Sequence, residues 1–95
     1  MAMHAVVRTY RHLHDFDRIA RLVEEELVPL LKEVPGFRGY YAIRSGEATG
    51  VSVTLFESEA AARAGHERGA VWVRAHLADH SPETLTGEVV VAAMP

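Results

Sequence analysis

Residues 35–58 read PGFRGYYAIRSGEATGVSVTLFES, and this stretch decides the fold. Pro35-Gly36 closes whatever helix precedes it, because proline cannot continue a helix and glycine favours its end. The next eight residues are aromatic, β-branched or alternating, which reads as a strand over Phe37–Arg44. A turn containing Gly46 and ending at Gly50 follows, and then a second strand over 51–56. Two strands joined by a short glycine-containing loop form a hairpin. Ser58, with Glu59 behind it, has the chemistry of a helix N-cap.

Working outward, the residues before the hairpin carry apolar side chains at Phe16, Ile19, Ala20, Val23, Leu27, Leu30, Leu31 and Val34. Intervals of three and four make one helical stripe. It predicts a helix over 15–33, capped by Asp15, with Pro29 causing a kink or a tightened last turn. Before it, His4–Tyr10 (HAVVRTY) reads as a strand. After the hairpin a second helix spans 58–78, although Gly65 and Gly69 each cost about 1 kcal/mol relative to alanine. A loop over 80–86 contains Pro82, and Gly87 opens a last strand over 88–93. The order is βαββαβ, the split pattern of a ferredoxin-like α+β domain. It places two helices on one face of a four-stranded antiparallel sheet, in one domain over 1–95.

Ten Lys and Arg against thirteen Asp and Glu give a net charge of −3. A chain so balanced is not expected to bind nucleic acid through a basic face. No apolar run approaches the roughly 20 residues of a membrane span, so no membrane partner is expected. The amino end, MAMHAVVRTYRH, lacks the basic-then-apolar order of a signal peptide, and the expectation is a cytoplasmic protein. With no cysteine, thiol nucleophiles and cysteine-ligated zinc are excluded.

Strict alternation sorts the strand residues into two sets. One holds Phe37, Gly39, Tyr41, Ile43, Val51, Val53, Leu55, Ala5 and Val7. The other holds Val6, Arg8, Tyr10, Tyr40, Thr54, Phe56 and Val90. Helices cover one face only, and the second set is too apolar to leave in water. The expectation is a homodimer whose two sheets meet through Val6, Arg8, Tyr10, Tyr40 and Phe56. Arg8, a charge on that face, needs a partner there.

The order of elements, Pro35-Gly36-Phe37, Phe56-Glu57-Ser58 and the closing Gly87–Val91 run GEVVV resemble the dimeric α+β barrel superfamily, in its antibiotic-biosynthesis-monooxygenase-like branch. The resemblance spans nearly the whole chain, and its motifs are structural. It implies facing sheets in a dimer and a pocket between each subunit's helices and sheet. Its members include cofactor-independent monooxygenases, haem-degrading oxygenases and isomerases. The haem-degrading branch places Asn, Trp and an axial His where this chain has Val7, Gly65 and Ala75, so haem is not expected.

On the second helix, Ala61, Ala62, Gly65, His66, Gly69, Trp72, Val73, His76 and Leu77 share one broad face. The expected pocket takes His76 or His66 as the base, with Trp72 and Tyr41 against an aromatic ligand. Gly65 and Gly69 leave room beside them. A phenol or hydroquinone deprotonated there reacts with O2 directly, with no cofactor. The alternatives are a non-catalytic small-molecule-binding or interaction dimer, and an isomerase or cyclase using the same pocket. His76 and His80, four apart, and His12 and His14 in a loop are weak ligand pairs, and no metal is expected.

Overall fold

A computed structural model describes residues 2–80 and 82–95; Met1 and Ser81, included in the amino-end and 80–86 loop readings, lie outside them. Strand β1 (His4–Tyr10) leads to helix α1 (Phe16–Leu22), a π-helical turn (Val23–Leu27) and helix α2 (Val28–Lys32), which run on as one bent rod. The hairpin β2 (Phe37–Arg44) and β3 (Gly50–Phe56), helix α3 (Glu59–His76), a 3₁₀ turn (Ala78–His80) and β4 (Glu83–Glu88) follow. The sheet is antiparallel in the order β2-β3-β1-β4, with the rod and α3 on one face: a ferredoxin-like fold.

Pro29 acts by widening the helix rather than tightening it. Proline has no N–H to give and crowds the carbonyl four residues back. The preceding turn opens to five-residue spacing, with Val28 N–H donating to Val23 O. Ser58 caps α3, its hydroxyl accepting from Ala61 N–H at 3.1 Å. Asp15 does not cap α1: its backbone is left-handed at φ 58°, and its carboxylate pairs with Arg18 instead.

The sheet faces are the reverse of the expectation. Val6, Arg8, Tyr10 and Phe56 are buried beneath the helices of their own chain, and Tyr40 packs against the same core. These five residues are therefore not a sheet-to-sheet interface. The opposite set, with Val7 paired to Val53 and Tyr41 also paired to Val53, forms the open face, where Tyr41 is 58% exposed. Both sets are apolar, so alternation separates the faces without saying which one the helices take. The deciding fit is volumetric: the Phe56 ring, fully buried, sits where a Cβ on Gly65 would meet its Cζ at 2.0 Å.

Two further registers differ from strict alternation. Arg38 is an extra residue in β2, a bulge that returns Phe37 to the helix side. Its ring meets Phe56 edge-to-face at 6.2 Å. The last strand is Glu83–Glu88 rather than 88–93; Thr84 pairs with Arg8, Leu85 with Val7 and Thr86 with Val6. Val89 N–H still donates to Met3 O, but Val90 and Val91 stand beyond the sheet, about four-fifths exposed. Pairing with the fixed end of β1 at His4 consumes the chain earlier than the GEVVV run suggests.

Candidate functional site

Helix α3 carries all the helical candidates, and its two flanks differ. On the flank toward the rod, Trp72 is buried and its Nε1 donates to Glu26 Oε1 at 3.1 Å. Glu26 lies in the π-helical turn, a widening that recurs at functional sites. One turn on, the His76 ring stacks on Trp72 at 4.4 Å and 19°. His76 Nδ1 donates to the Trp72 carbonyl at 2.9 Å. That bond fixes the neutral tautomer, leaving the lone pair on Nε2. Nε2 lies 3.5 Å from the same Glu26 Oε1, and a carboxylate oxygen has no proton to give it, so the lone pair is unspent. His76 and Trp72 line a groove of about 710 Å³ with Leu30, Val34 and Val71. The groove is an apolar bed with an oriented base at its wall.

On the flank toward the sheet, the glycines are filled. Phe56 occupies the space at Gly65, and the Arg8 guanidinium lies under Gly69, where a Cβ would meet Nη1 at 3.1 Å. Gly65 and Gly69 are packing positions, not the ligand room expected of them. Arg8, on central strand β1, is 3% exposed. Its Nη2 donates to His66 Nδ1 at 2.9 Å and to the His66 carbonyl at 3.1 Å. Among the described residues no carboxylate pairs with it.

Because arginine only donates, His66 Nδ1 must accept, and the proton of the neutral ring resides on Nε2. Burial pushes the His66 pKa down, and the Arg8 charge adds to the shift. His66 is thus a neutral hydrogen-bond donor, not the base it was expected to offer. Beside Arg8, burial raises the pKa of both buried phenols, and Tyr40, repelled also by Tyr10, reaches about 12. Both remain neutral at physiological pH.

The expected site is therefore divided. His76 and Trp72 share the helix groove, His66 lines a separate cavity against the sheet edge, and Tyr41 is on the far face of the sheet. Glu26 and the carboxylate-free environment of Arg8 complete the two flanks. Glu26 had a sequence signal, an acid at the edge of the apolar stripe three residues before Pro29. Among the described residues no three His, Asp or Glu side chains are grouped to hold a metal ion, and no helix is long and apolar enough to cross a membrane.

This fold has close counterparts among solved structures. A monooxygenase from the ActVA-Orf6 gene of Streptomyces coelicolor, crystallised with Nanaomycin D, superposes with a TM-score of 0.77 at 20% identity, over 99% of this chain and 93% of that one. SnoaB, a cofactor-independent oxygenase from Streptomyces nogalater, gives 0.66 at 14% identity, over 98% and 95%. A dimeric ferredoxin-like protein from an uncultured marine organism gives 0.71 at 11%, over the full length of both chains. No family model matches the chain, and no curated protein matches it. At these identities the likeness is one of fold. The chain has a ferredoxin-like fold, similar to that of these structures.

Proposed function

We propose that the protein is a cofactor-independent oxygenase of a small phenolic or hydroquinone-like molecule, with the helix groove as its substrate site. The observation that carries this reading is His76, held by the Trp72 carbonyl so that its basic nitrogen stays available beside Glu26. The substrate ring lies on the apolar groove wall, and His76 Nε2 takes the phenolic proton. Glu26 Oε1 lies 3.5 Å from the nitrogen that takes this proton. The electron-rich anion then reduces O2. One oxygen atom joins the ring carbon as a carbonyl, and the other leaves as water with the two hydrogens the substrate loses. The chain's task is binding, deprotonation and orientation.

The test is turnover of a panel of anthrone and hydroquinone substrates, followed by oxygen uptake. His76→Ala is expected to lower kcat by roughly 10²–10⁴ with an unchanged melting temperature. Equal turnover by the variant overturns the role of His76. Ligand binding without any oxygen uptake by the wild type overturns the oxygenase reading in favour of a binding protein.

The same reading includes a homodimer, supported by the fold of a dimeric neighbour and by the apolar open face. Val7, Tyr41, Ile43, Val51, Val53 and Leu55 are the residues that a second sheet covers. Val53→Asp sets an unpaired carboxylate in that contact and is expected to yield a folded monomer by sedimentation. A Val53→Asp protein that sediments with the wild type removes this face from the interface.

A further inference from the structure

The buried guanidinium of Arg8 is not used by the groove chemistry, and it is the less ordinary of the two sites. Removing a charge from water costs several kcal/mol unless an opposite charge or a full set of acceptors replaces the lost hydration. Arg8 has no carboxylate among the described residues; its guanidinium donates twice to His66, a neutral histidine, and its other neighbour is the neutral Tyr10 phenol. That histidine is a relay. Its Nδ1 is occupied by Arg8, so Nε2–H is polarised by a cation behind it.

The His66 ring forms part of the wall of a cavity of about 500 Å³ between α3 and the β1–β4 edge. Arg63 and Thr86 add further donors to that wall, and Ala5 and Ala62 add apolar surface. His4 is there as well, its Nδ1 buried and without a partner among the described residues. Two acids also line the cavity. Glu59 is already bonded to Arg63 at 2.9 Å, and Glu88 closes the strand edge. Their charge opposes a dianion more strongly than a single negative charge.

We propose that this cavity binds a small organic monocarboxylate, its oxygen accepting from His66 Nε2–H with the Arg8 charge one ring away and its apolar part against Ala5 and Ala62. The site is separate from the helix groove. His66 and His76 are ten residues apart on α3, about 15 Å along its axis. Failure of the oxygenase reading leaves this site unaffected, and the reverse holds.

Benzoate is the probe, benzamide its neutral isostere and inorganic phosphate the dianion control, each titrated into the full chain by NMR of the amides of Arg63, His66 and Thr86. Benzoate is expected to shift these amides saturably in the millimolar range and to raise the melting temperature by mass action, while benzamide at about 10 mM shifts neither. His66→Phe, which keeps a ring and removes the donor, is expected to weaken benzoate at least roughly tenfold. Arg8→Met is expected to do the same, and where it fails to fold, His66→Phe decides alone. The proposal is overturned by equal shifts with benzamide, by tighter binding of phosphate than of benzoate, by unchanged affinity in His66→Phe, or by no saturable shift with benzoate.

Discussion

Toward the sheet, α3 presents Gly65 and Gly69 and meets Phe56 and Arg8 with no room left at the glycines; toward the rod it presents Ala64, Val71 and Trp72 and leaves a groove of about 710 Å³. Each flank also carries one histidine, and a single bond to Nδ1 sets each in the opposite role. His66 accepts from an arginine and becomes a donor at Nε2, whereas His76 donates to a carbonyl and keeps its lone pair there. Two residues of one type on one helix thus differ in hydrogen-bonding character because of what their inner nitrogen touches. Glycines are a poor guide to cavities for a related reason. A missing side chain is an invitation to the nearest neighbour, and here Phe56 and Arg8 have taken it.

The sharpest way to break this contrast is to fill each flank with the same side chain. Gly65→Leu drives a Cβ to 2.0 Å from the Phe56 ring, which is buried on every side and cannot retreat. The expected loss is at least about 3 kcal/mol, read by chemical denaturation, despite the better helix propensity of leucine. Ala64→Leu, one residue earlier, enters the groove instead and is expected to change stability by no more than about 0.5 kcal/mol. It should abolish ligand binding in the groove. Comparable stability losses in both variants would erase the distinction between a packed and an open flank.

Much of the fold was legible because each element has its own local cause. The Pro35-Gly36 stop, the Ser58 cap and the three-and-four spacing from Phe16 to Val34 act within a few residues, and the elements appear where they place them. The sheet parity was not legible, because Val7, Val53 and Leu55 are as apolar as Val6 and Phe56. Only the fit of Phe56 into Gly65, a contact between β3 and α3, selects the face. The bulge at Arg38 and the early pairing of Thr84–Thr86 with β1 are likewise tertiary choices. At the site, residue types were legible and their roles were not. A histidine's tautomer depends on a partner 58 residues away for His66 and on its own helix backbone for His76.

The smallest expected effect is also the most specific to that difference. His66 has a pKa pushed below the ordinary 6.5, first by burial and then by Arg8, so between its folded value and 6.5 the unfolded chain binds a proton that the native chain refuses. Stability from this group is fully present above 6.5 and is lost as pH falls through the folded value. Protonation at Nδ1 would also set an imidazolium against the Arg8 guanidinium in place of a hydrogen bond. His66→Gln removes this titration, and subtracting its denaturation profile from that of the wild type cancels the remaining histidines. The difference is expected to be level above about pH 7 and to move against the wild type toward about pH 5.5. Parallel profiles, or a wild type that gains on the variant as acid is added, would mean that Arg8 does not hold His66 neutral, and His66 would then be free to act as a base like His76.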